Sequence, residues 1–120
     1  MSDTNFPKIN RAIPRKRFQV GEYSVTVLGE VESPDIASYQ FIMAFVADGK
    51  QEPALYITSE KTPPKDRHEG SHRLRVINSA MSEIMDTADH WKDIDTFTPE
   101  AMKLGMQILG LSGEQPSQLM

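Results

Sequence analysis

Between residues 16 and 61, apolar and polar side chains mostly alternate. In YSVTVLGEV (23–31), Tyr23, Val25, Val27 and Val31 fall on one side, and Ser24, Thr26 and Glu30 on the other. That period, with β-branched residues, is a half-buried strand. Gly29 breaks the alternation and is read as a bulge. The preceding RFQV runs into Gly21-Glu22, a two-residue hairpin turn with glycine at the first central position. SYQFIMAFVA (38–47) is apolar on both sides, as a central strand covered on both faces would be. Ser33-Pro34-Asp35 and Asp48-Gly49-Lys50 supply turns around it, and ALYITSEK (54–61) is the next strand. Tight connections make neighbours antiparallel, so the segment reads as a three- to four-stranded meander.

After Pro63-Pro64 the period changes. Leu74, Ile77, Met81, Ile84, Ala88 and Trp91 recur at steps of three and four, predicting an amphipathic helix over 72–91. Thr98-Pro99-Glu100 reads as the start of a second helix, with Thr98 as N-cap, and Gly110 as its end. The fold class that follows is α+β: an antiparallel meander, then two C-terminal helices packed on one face. Residues 1–14 read as a flexible basic N-terminal arm, 15–111 as a single domain and 112–120 as a disordered tail.

The chain has 120 residues, 38% of them hydrophobic and 25% charged, which suits one soluble domain with its own core. It has no cysteine, which excludes disulfides, thiolate metal sites and cysteine nucleophiles. The longest apolar run, FIMAFVA (41–47), is far short of the roughly 20 residues of a membrane helix. MSDTNFPKINRAIPRKR has no apolar signal stretch, so a cytoplasmic protein is expected. The net charge of −4 is unevenly spread. Residues 1–20 carry five cations against Asp3, a balance of +4; residues 82–100 carry six acids against Lys92, a balance of −5. Such a split fits partner binding, or a basic arm lying near the acidic segment of its own chain or of a second copy.

His68-Glu69-Gly70-Ser71-His72 spells H-E-x-x-H, the zinc-protease spacing. That chemistry needs both histidines on one helix face, and Gly70 and Pro63-Pro64 place the motif in a loop instead. The flanking cations Arg67 and Arg73 oppose a bound metal, so neither a metal nor another cofactor is expected. The wider loop 61–75 gathers Lys61, Lys65, Arg67, His68, His72, Arg73 and Arg75, a candidate surface for a small anion, a phosphate compound or an acidic partner. Arg11, Arg15, Lys16 and Arg17 form a second basic cluster, a candidate nucleic-acid or partner arm. Net acidity and the absence of an RNP-like motif count against nucleic acid. Met85, Met102 and Met106 suit an adaptable protein-binding face or homodimer seam. No catalytic constellation emerges. The leading expectation is a non-catalytic binding or adaptor domain acting through protein contacts. A small-anion- or phosphate-compound-binding protein or enzyme using the 61–75 loop is the alternative, and nucleic-acid binding through 8–17 comes after it.

Overall fold

The computed structural model describes residues 6–120. Seven strands, β1 (Arg11–Val20), β2 (Tyr23–Glu32), β3 (Tyr39–Ala47), β4 (Leu55–Lys61), β5 (His72–Ile77), β6 (Ser82–Ala88) and β7 (Ser117–Gln118), form one antiparallel sheet in the order β6-β5-β4-β3-β2-β1-β7. One helix, α1 (Ile94–Ile108), lies against a single face.

The first half follows the alternation. Val25 and Val27 of β2 and Leu55 and Ile57 of β4 are buried beneath α1, as are Phe41, Met43 and Phe45 of β3. In β3 every residue from Phe41 to Phe45 is buried, as its two-sided apolar pattern requires. Val20 pairs with Tyr23 across Gly21-Glu22, and the positive φ sits on Gly21 (54°), where a II′ turn needs it. On the other face, the Phe6 ring meets Tyr56 edge-on at 5.2 Å, and Pro7 is buried.

The second half corrects the sequence reading: residues 72–91 are not a helix. They form β5, β6 and the beginning of a 3₁₀ turn, Asp89–Lys92; β5 and β6 are joined by a turn in which Asn78 Oδ1 accepts from the amides of Ala80 (2.8 Å) and Met81 (2.9 Å). The same apolar residues satisfy both periods. Within HRLRVI, His72, Leu74 and Val76 alternate inward with Arg73 and Arg75 outward. The long-range demand of β4 decides between the two: its edge, with buried Thr58 and Ser59, must be paired. The strand count therefore rises to seven, and only one C-terminal helix remains.

That helix starts four residues before Thr98. Asp93 is its cap, its carboxylate accepting from the amide of Asp95 (3.3 Å) and the hydroxyl of Thr96 (3.2 Å). Thr98 and Pro99 lie inside it. Its end is as read: Gly110 has φ 73°, and the Leu111 amide donates back to the Met106 carbonyl (2.7 Å). Residues 11–14 of the basic segment open β1, and Ser117 and Gln118 pair with Gln19 and Phe18.

Candidate functional site

The seven cationic and histidine candidates of residues 61–75 do not converge. Arg73 Nη2 lies 2.8 Å from Asp66 Oδ2. Arg75 donates Nε (3.0 Å) and Nη2 (2.9 Å) to one oxygen of the buried Glu60. Arg67 Nε donates to the Thr62 carbonyl (3.3 Å). Lys65 and His68 are exposed in a 3₁₀ turn, Pro64–Glu69. Gly70, at φ 147°, ends that turn, and His72 begins β5, so the two histidines of HEGSH share no helix face. Among the described residues, no three acidic or histidine side chains are grouped to hold a metal ion.

The basic segment also disperses. Arg11 reaches Glu32 at 3.9 Å, Lys16 reaches Asp95 at 3.4 Å, and Arg17 is exposed. The acidic strand β6 and the basic strand β1 lie five strand spacings apart, roughly 24 Å. Of the described ion pairs, only Lys16–Asp95 joins the basic and acidic segments.

Two members of the separate clusters, Arg15 and Lys61, border one cleft. They line a polar cleft of about 400 Å³ together with Glu30, Val31, Ser38, Tyr39, Gln40, Phe41 and Ile94. Its position follows from the register of the sheet. Four bulges interrupt the ladders, and three open onto this cleft. Arg15 is the extra residue between Pro14↔Leu28 and Lys16↔Val27. Glu30 and Val31 together oppose Ala12, just beyond the Gly29 that marks the break in the sequence. Gln40 is the extra residue between Tyr39↔Glu60 and Phe41↔Ser59. A bulge bends its strand and re-aims a side chain, and here three neighbouring strands do so at one place.

The local backbone is arranged around Arg15. A Cβ on Gly29 would stand 2.9 Å from Arg15 Cγ, so glycine makes room for that side chain. The left-handed conformation of the bulge then falls on Glu30, at φ 47° the one non-glycine with positive φ among the described residues. Glu30→Gly is expected to raise stability by about 0.5–1 kcal/mol, relief of strain less the entropy glycine adds to the unfolded chain. Urea denaturation checks this; an unchanged or lower midpoint would mean that the conformation stores no strain.

His72 stands behind the cleft. Its Nδ1 lies 2.8 Å from the Ser71 hydroxyl and its Nε2 3.4 Å from Gln40 Oε1, and the Gln40 amino group has no hydrogen-bond partner among the described residues. Burial first, then the charges of Lys61 and Lys92, lower the His72 pKa from 6.5, against the opposing pull of Asp89. The unfolded chain therefore binds the extra proton, and stability is lost as pH falls through 6.5 toward the folded-state value. The urea midpoint is expected to drop between pH 7.5 and 5.5, and His72→Gln to flatten that drop. A variant that keeps the full drop places the titration elsewhere. Tyr39 donates to Asp35 Oδ2 (2.8 Å), and burial followed by this bond pushes its phenol well above the ordinary value, so it stays protonated.

A second concavity, about 630 Å³, lies between β1, α1 and the C-terminal residues. Phe18, Pro99, Met102, Met106 and Pro116 line it, with Lys16, Asp95 and Lys103 also in its wall. Met102 and Met106 are buried against the sheet, whereas Met85 is exposed on β6. Compared with protein-family models, curated proteins and solved structures, the chain finds no match.

Proposed function

We propose that this chain is a non-catalytic binding domain whose ligand is a small anion, a carboxylate or phosphate compound, held in the cleft at the three bulges. The observation that supports this reading is the convergence of Arg15, Lys61 and the Gln40 amide. In the rest of the basic loop, Arg73 and Arg75 are neutralised by Asp66 and Glu60. Arg15 and Lys61 have no acidic partner within 4 Å among the described residues. The two cations are exposed, so each contributes modestly, about tenfold in affinity or ~1.4 kcal/mol.

The test is a titration of ¹⁵N-labelled protein with inorganic phosphate and with 4-methylpentanoate. Saturable shifts are expected at Arg15, Gln40 and Lys61, weakened about tenfold by Arg15→Ala or Lys61→Ala and untouched by Lys65→Ala. Shifts spread over every surface cation, or equal losses from Lys65→Ala and Lys61→Ala, would remove the proposal.

Protein contact is a second reading, favoured by the apolar groove. The Thr98 hydroxyl in its wall is buried without a partner among the described residues, and Lys103 is exposed. Phe18 and the methionines suit an adaptable apolar surface, and Lys16 and Lys103 complement carboxylates. The occupant this combination fits is an amphipathic acidic segment of a partner. An acidic amphipathic peptide is expected to shift the methyl signals of Met102 and Met106, and Lys103→Glu to suppress that response.

A further inference from the structure

We infer that Glu30 makes the cleft selective for a zwitterion: a small amino acid with an apolar side chain. Its carboxylate is held by Arg15 and Lys61 and its ammonium group by Glu30. The inference rests on the reading of the cleft as an anion site.

Three observations carry it. First, Glu30 is an uncommitted carboxylate. Glu32, Glu60, Asp66 and Asp95 each face a cation within 4 Å, and Asp35 accepts from Lys8 and Tyr39. Glu30 has no hydrogen bond or ion pair among the described side chains, although Arg15 and Lys61 line the same cleft. Second, its backbone position is one that glycine would occupy without strain. The preceding Gly29 is committed to the Arg15 side chain, and at 30 the chain carries a carboxylate where the conformation favours no side chain. Third, the remaining lining is divided by chemistry. Val31, Phe41 and Ile94 offer an apolar floor, while Ser38 and Gln40 are neutral hydrogen-bonding groups.

The charge balance sets the class of ligand. Arg15 and Lys61 against Glu30 leave a single positive charge in the cleft. A dianion sees both cations but is repelled by Glu30 at close range. A molecule with one carboxylate and one ammonium pairs with every charge in the lining. Opposite charges placed on either side of a ligand fix its orientation as well as its affinity; a ligand lacking the ammonium leaves Glu30 unanswered, and one lacking the carboxylate leaves Arg15 and Lys61 unanswered.

Leucine, 4-methylpentanoate and 3-methylbutylamine separate the terms, because they share a hydrocarbon skeleton and differ only in the charged groups. Chemical-shift titrations of the wild type and of Glu30→Gln form the test, with inorganic phosphate alongside. Glu30 is exposed, so the variant is expected to keep the fold. Leucine is expected to bind about tenfold more tightly than 4-methylpentanoate. Glu30→Gln should erase that advantage while leaving 4-methylpentanoate bound as well or better. Equal affinities for leucine and 4-methylpentanoate in the wild type, or a preference that survives Glu30→Gln, overturn the inference and leave the anion site standing. Failure of all three compounds and of phosphate to shift Arg15, Gln40 or Lys61 overturns both.

Discussion

Gly105→Ala is expected to lower stability by roughly 2 kcal/mol, although alanine is the better helix former. Gly105 is buried on the inward side of α1, and a Cβ there would enter the space of the Phe45 ring. Phe45 is wholly buried in β3 and cannot swing into solvent. Two effects compete. The propensity gain of alanine over glycine is about 1 kcal/mol, while overpacking a full core costs about 1–3 kcal/mol and more where the neighbour is a ring without room to move. The steric term wins because the contact falls on the ring carbons themselves rather than on the end of a flexible chain. Urea denaturation gives the measurement, and Phe45→Leu/Gly105→Ala the control. If the two positions share one space, the double variant loses less than the sum of the single losses, by more than about 0.5 kcal/mol. Gly113→Ala, where a Cβ meets nothing within 4 Å, is expected to be neutral. A Gly105→Ala protein more stable than the wild type would show that α1 stands off the sheet.

Arg75→Leu is expected to cost roughly 2–4 kcal/mol, and Arg75→Leu/Glu60→Leu to recover most of it. Glu60 is 4% exposed and receives two nitrogens of Arg75 on one oxygen, with the Thr58 hydroxyl 3.4 Å from the other. Removing the guanidinium strands a carboxylate in the sheet with one long hydrogen bond. Removing both charges leaves the site to apolar packing on the sheet face that also buries Ile42 and Ile77. The lower end of the range reflects Arg75, whose side chain is partly exposed and already screened by water. Equal losses in the single and double variants would mean that the packing of the Arg75 stem, not the stranded charge, sets the cost. Together with Arg73–Asp66, this ion pair engages two guanidiniums of the 61–75 segment with carboxylates of the same chain.

Much of the first sixty residues is legible one residue at a time. Gly21-Glu22 is a hairpin turn because glycine alone takes its first position without strain, and Val25 and Val27 are buried because a strand alternates. Gly110 ends α1 for the same reason that Gly21 turns a hairpin. The break in alternation at Gly29 pointed within one residue of the bulge that carries Glu30. It did not show that Arg15, Gln40 and Lys61 would gather there. Those residues lie on three strands, and their meeting depends on register between segments far apart in sequence.

The sequence by itself determined where β2 and β3 lie, where the turns beside them fall, that β3 is central, and that α1 ends at Gly110, because each of these follows from local backbone preference and local polarity. Only the tertiary structure decided that 72–88 are two strands, that Arg73 and Arg75 are spent on Asp66 and Glu60, and that three bulges share one cleft. The apolar spacing of 72–91 satisfies helix and strand alike, and the choice belongs to the unpaired edge of β4. An arginine's neighbours, likewise, are set by which strands lie side by side, and that is a property of the folded sheet.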